Sequence, residues 1–164
     1  MTTVCHAAPR HRALMRRASA PASASGGMAA IEYASGLHWL EAGAGPLVVL
    51  VHASMAGATQ WSGLIGELAS DFNVRAVNLF GYGGTPAWSK PQPPALTDFA
   101  GLVAEAVPAN ASGVHLVGHS LGGAIAMHAA AHQLRGRVAS LTLIEPSLFF
   151  LLAQRVHLGI RRVG

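Results

Sequence analysis

A chain of 164 residues with 51% apolar side chains suits one globular domain and excludes a disordered chain; at this size about 70% of the unfolded surface can be buried. The formal charge of +4 belongs to the start of the chain. Residues 1–27 carry Arg10, Arg12, Arg16 and Arg17 and no acid, while residues 28–164 carry seven basic and seven acidic side chains, so no nucleic-acid partner is expected. No run approaches the roughly 18 apolar residues of a membrane span. Cys5, the single cysteine, permits no intrachain disulfide, and the expected compartment is the cytoplasm.

In chain order, residues 1–27 are rich in Ala, Ser, Arg and His and end in Ser25-Gly26-Gly27. They read as a disordered basic extension, with an organelle transit peptide as the alternative. The domain then covers residues 28–164. Ile31–Tyr33 and Leu37–Glu41 read as a hairpin around Ser35-Gly36. Leu47–His52 is uniformly apolar until its histidine, the pattern of a strand buried on both faces. Thr59–Ser70 reads as a helix with Trp61, Leu64, Ile65 and Leu68 on one face, and Val74–Leu79 as a strand. After a proline-broken loop over Pro86–Pro94, a helix starts at Leu96 or Thr97, with Asp98 in its first turn and Pro108 beyond its end. Val114–Val117 is a strand, Ser120–Leu134 a helix and Val138–Ile144 a strand closed by Glu145-Pro146. Alternating strands and helices predict an α/β fold, a mostly parallel sheet with helices on both faces. Ending at Ile144, the sheet is expected to have an open apolar edge, suited to a strand-addition partner or to homo-oligomers.

Chemistry enters at Gly118-His119-Ser120-Leu121-Gly122-Gly123, directly after the Val114–Val117 strand. A serine on a tight strand-to-helix turn points its hydroxyl away from the backbone, and the flanking glycines let strand and helix pack closely. The N–H of Leu121, opening the helix, is then free for an oxyanion. The ordinary alternative for such a serine is a helix N-cap. Two further features are His52-Ala53-Ser54-Met55-Ala56-Gly57 after the buried strand, and Asn78-Leu79-Phe80-Gly81-Tyr82-Gly83-Gly84-Thr85 after the next.

At these three places, over about residues 31–150, the chain resembles the N-terminal portion of the α/β-hydrolase family. It departs from the family pattern in Ala53, where glycine is usual, and in Asn78, where aspartate is usual. The resemblance implies Ser120 as nucleophile, with the backbone N–H groups of Leu121 and Ser54 as oxyanion hole. It implies hydrolysis of an ester, thioester, amide or C–C bond in a small carbonyl substrate through an acyl-enzyme, without cofactor or metal. Serine rather than aspartate at the elbow disfavours epoxide-hydrolase and dehalogenase chemistry. In the family the catalytic acid and histidine follow later strands, whereas this sequence runs only to Gly164. The expected fold is therefore an incomplete α/β-hydrolase domain lacking the last strands. The alternative function is a catalytically inactive truncated fragment, or half of a two-chain assembly. Glu145 is the candidate acid and His157 the only later histidine. His52 and His119 are assigned positioning or exposed roles, not that of general base. His128 and His132 share a helix face without a third ligand, so no metal site is expected. Met55, Leu148, Phe149 and Phe150 are candidates to line an acyl pocket.

Overall fold

Leu47–Val51 shows why the sheet lies between two helical layers. Val49 and Val51 enter one buried cluster with Leu102, Val103, Leu116 and Ile125. Val48 and Leu50 enter another, with Trp61, Ile65 and Val74. Alternate residues of a strand face opposite sides, so a strand apolar at every position must be covered on both.

The computed structural model describes residues 2–6, 27–32 and 36–147. Its strands are β1 (Thr2–His6), β2 (Ala29–Glu32), β3 (His38–Ala42), β4 (Leu47–Val51), β5 (Asn73–Val77), β6 (Val114–His119) and β7 (Val138–Ile144). The helices are α1 (Ser62–Leu68), preceded by a 3₁₀ turn over Ala58–Trp61, α2 (Leu96–Glu105) and α3 (Leu121–Ala131). The sheet order is β1-β7-β6-β4-β5-β3-β2. The four central strands are parallel, and antiparallel strands flank them at both sides. α2 and α3 cover one face of the sheet and α1 the other.

The expected elements are present with local differences. The hairpin pairs Ala29–Glu32 with His38–Ala42; Tyr33 to Ser35 fall outside the described residues. The first helix divides into a 3₁₀ turn and a short α-helix. α2 starts at Leu96, and the backbone N–H of Ala95 donates to Asp98 Oδ2 at 2.8 Å, which satisfies a donor that a helix start leaves open.

One expectation is corrected. The edge of β7 is not open: Thr2–His6 pairs with it antiparallel, Thr2 opposite Ile144 and His6 opposite Ser140. The basic extension therefore supplies a strand, and residues 7–26 lie outside the described residues. The physical reason is that the outer N–H and C=O groups of an apolar edge strand need partners. Thr2, Thr3 and Val4 are β-branched and suit that role, a local signal hidden by the Ala-, Ser- and Arg-rich average of the first 27 residues.

Candidate active site

Strand pairing places the turn that carries Ser120. β6 and β7 run in register so that His119 lies opposite Ile144, and the N–H of Ser120, the next residue, donates to Ile144 O at 2.9 Å. Ser120 adopts φ 52° and ψ −118°. Non-glycine residues seldom occupy this region, at a cost of about 1–3 kcal/mol, unless their surroundings enforce it. Here the surroundings do so. The Ser120 carbonyl accepts from the N–H groups of Gly123 and Ser147, each at 3.0 Å. Strand and helix also approach too closely for side chains at the flanking glycines: a Cβ on Gly118 would overlap the carbonyl of Gly122, and one on Gly122 would overlap those of Val51 and His52. Ser120 occupies the N-cap position of α3, but its side chain makes no capping bond. Its Oγ instead shares a 3.0 Å hydrogen bond with Ser147 Oγ.

The loop after β4 is held from below. His52 is fully buried; its Nδ1–H donates to Ala53 O at 2.7 Å, and Nε2 accepts from the Leu79 N–H at 3.1 Å. The Tyr82 ring meets it edge-on with centroids 4.6 Å apart. Tyr82 Oη also accepts from the Met55 N–H at 2.7 Å, and Met55 stands 92% exposed at φ 65°. The Ala53 N–H donates to Gln60 Oε1 at 3.0 Å. The N–H groups of Ser54 and Leu121 have no hydrogen-bond partner among the described residues, the state required of donors that are to meet an incoming oxyanion.

Burial pushes the pKa of His52 below the usual histidine value, against the opposing pull of the Ala53 carbonyl. With the folded value depressed, the unfolded chain binds the proton more readily. The stabilisation is therefore complete above about pH 6.5 and is lost as pH falls through the folded value. His128, whose pKa is also lowered by burial and then by His132, acts in the same direction. We expect the wild-type unfolding free energy from urea titrations to fall between pH 7.5 and pH 5.5, by no more than about 1.4 kcal/mol per pH unit and group. In His52→Gln the pH slope should be smaller; an unchanged slope would remove His52 as its source.

Asn78, where the family pattern has aspartate, joins two neighbouring segments. It is buried, its Oδ1 accepts from the Ala58 N–H at 2.9 Å, and its Nδ2 donates to His38 Nδ1 at 2.7 Å. A carboxylate could accept the first bond but would keep the second only with His38 Nδ1–H as the donor. Thr85 Oγ1 donates to the Asn78 carbonyl at 2.9 Å, closing the Gly-rich loop under the site.

Of the remaining candidates, Glu145 is exposed and takes φ 44° at the end of β7. Its proximity in sequence to Ser147 places its strand end at the site, but the contact with Ser120 Oγ is made by Ser147. His119 Nδ1 accepts from Gln60 Nε2 at 2.9 Å and makes no hydrogen bond to Ser120 Oγ among the described residues. His128 and His132 stack with centroids 4.4 Å apart, and among the described residues no group of three His, Cys, Asp or Glu could hold a metal ion. His157, Leu148, Phe149 and Phe150 lie outside the described residues. A cavity of about 190 Å³ behind the Gly-rich loop, lined by Phe80, Trp88 and Leu102 among others, does not include Ser120. Ser147, Gln60 and Tyr82 were not singled out by the sequence. The signal for Ser147 was its place just after Glu145-Pro146, at the sheet edge where α/β folds bind ligands.

No helix among the described residues is long and apolar enough to cross a membrane. The chain is 34% identical over 96 residues to the pimeloyl-(acyl-carrier protein) methyl ester esterase of Vibrio atlanticus, covering 58% of this chain and 35% of that protein. It is 35% identical over 98 residues to an uncharacterised protein of Mycobacterium tuberculosis, covering 52% of this chain and 25% of that one. Among solved structures, a laboratory-evolved variant of potato epoxide hydrolase superposes with TM-score 0.63 at 26% identity, over 71% of this chain and 39% of that chain. A putative lipase from Acinetobacter baumannii gives 0.62 at 25% identity, over 70% and 40%. The chain thus spans well under half the length of these proteins. A model of the alpha/beta hydrolase family matches residues 48–164, a stretch that contains the loop after β4, the Gly-rich loop and the Ser120 turn in order, and the chain belongs to that family.

Proposed function

We propose that Ser120 is the nucleophile of a serine hydrolase and that the substrate is a small ester or related carbonyl compound. The observation that carries this is the backbone of Ser120, held at a positive φ by packing that excludes any side chain at Gly118 and Gly122. Strain of this kind persists where function needs the side chain presented. In the reaction Ser120 Oγ bonds to the carbonyl carbon and its proton passes to a histidine base. The oxyanion accepts from the N–H groups of Leu121 and Ser54. Collapse expels the alcohol and leaves an acyl-enzyme that water hydrolyses. Similarity to methyl ester esterases favours an ester over the amide, thioester and C–C alternatives. The serine at the elbow sets the chain apart from aspartate-based epoxide opening despite the likeness in fold. The acid and the histidine base are roles for residues outside those described.

A second reading is an inactive fragment, or one half of a two-chain assembly. It is favoured by the resting partner of Ser120 Oγ among the described residues, which is a serine hydroxyl and cannot act as base at neutral pH. A complementing chain that added a strand at β7 would have to displace Thr2–His6.

A fluorophosphonate probe separates the two. The hydrolase reading expects stoichiometric labelling of the folded chain, with Ser120→Ala abolishing it. Folded protein that stays unlabelled supports the fragment, because losing one triad member costs about a million-fold in turnover.

A further inference from the structure

Gln60 is the third residue of the 3₁₀ turn Ala58–Trp61, and its side chain spans two loops that the chain keeps far apart in sequence. Oε1 accepts from the Ala53 N–H at 3.0 Å, and Nε2 donates to His119 Nδ1 at 2.9 Å. Ala53 directly precedes Ser54, and His119 directly precedes Ser120. One amide therefore joins the residue before one oxyanion donor to the residue before the nucleophile. Its own base is fixed. The Gln60 N–H donates to Gly57 O at 3.1 Å, the Ala58 N–H to buried Asn78 at 2.9 Å, and Trp61 is buried beneath.

We propose that Gln60 is a positioning residue that sets the oxyanion loop against the nucleophile elbow. The proposal rests on the assignment of Ser120 and the hole made above. The chemistry of the bridge is directional. An amide oxygen can only accept and its nitrogen can only donate, so only one amide orientation satisfies both ends. That orientation requires a lone pair on His119 Nδ1, so neutral His119 carries its proton on Nε2. The Ser54 and Leu121 N–H groups come from separate segments, and a hole made from two segments works only if their spacing is set before substrate arrives. An error of about 1 Å in such placement costs about a hundred-fold in rate. A bridge exposed to solvent and acting through a neighbour should hold back a smaller part of that.

The test uses the 164-residue chain and two variants. Gln60→Leu removes both bonds at similar volume. Gln60→Glu keeps the acceptor for Ala53 and removes the donor to His119. Nitrogen-15 spectra should show the Nε2–H tautomer of His119 in wild type and a change to Nδ1–H in Gln60→Glu, whose carboxylate can only accept. The amide resonances of Ser54 and Leu121 should shift in Gln60→Leu, while the urea midpoint stays near wild type because both bonds are exposed. The rate of Ser120 phosphonylation should fall about ten-fold in Gln60→Leu and less in Gln60→Glu. A purely structural role would move the midpoint and leave the rate. An Nδ1–H tautomer in wild type, or Ser54 and Leu121 resonances unmoved in Gln60→Leu, overturns the proposal. Wild type that is never labelled refutes the hydrolase reading alone, since the tautomer and the amide shifts still decide the bridge.

Discussion

Gly122→Ala should lose at least about 3 kcal/mol of stability, a large part of the 5–15 kcal/mol typical of a domain. The added methyl would sit inside the van der Waals surfaces of the Val51 and His52 carbonyls at once. Those carbonyls belong to the end of β4 and to the start of the loop that follows it, so neither can rotate aside without breaking the sheet or moving His52. Ordinary overpacking costs about 1–3 kcal/mol, and backbone atoms yield less than side chains. Gly66→Ala is the control. Gly66 lies in α1 with nothing near its absent Cβ, so alanine should gain about 0.5–1 kcal/mol from helix propensity. Urea midpoints of the two variants should move in opposite directions. If Gly122→Ala unfolds at the wild-type midpoint, the close approach of α3 to β4 is not a constraint on the elbow.

Ser120→Gly should become more stable while losing all fluorophosphonate labelling. A φ of 52° with ψ −118° is the mirror image of an ordinary extended conformation, which glycine adopts without penalty. Relief of about 1–3 kcal/mol of strain outweighs the roughly 0.5–1 kcal/mol that glycine's greater freedom in the unfolded chain costs, for a net gain of about 1 kcal/mol. The hydrogen bond to Ser147 Oγ is lost as well, but Ser147 is only half-buried and its hydroxyl can turn to water. A variant that is both unlabelled and less stable than wild type would mean that the turn stores no strain at Ser120.

Part of the site could be read directly from local pattern. Glycines around Ser120 after an apolar strand encode a tight turn, because close packing of strand on helix leaves room only for hydrogen at Gly118. The uniform apolar run of β4 encodes burial on both faces, and Val138–Ile144 is bounded where the sequence places it. These features depend on residues within a few positions of each other. The hydrogen-bond partners of the side chains around Ser120 do not. Gln60 and His119 are 59 positions apart, Asn78 and His38 are 40 apart, and Ser120 and Ser147 are 27 apart.

Composition misled at one place. Averaged over the first 27 residues it describes a solvated tail, yet Thr2–His6 closes the edge of β7, because an unpaired apolar strand edge gains backbone hydrogen bonds from any short β-forming segment within reach. The amino-acid sequence by itself determined the elbow, the doubly buried central strand and the family. The tertiary structure alone decided which strand covers the sheet edge, which hydroxyl rests against Ser120 and which amide bridges Ala53 and His119. Periodicity and turn chemistry specify the conformation of a segment, whereas contacts between segments are settled by strand order, register and loop path, where packing and hydrogen-bond satisfaction over the whole molecule choose the partner.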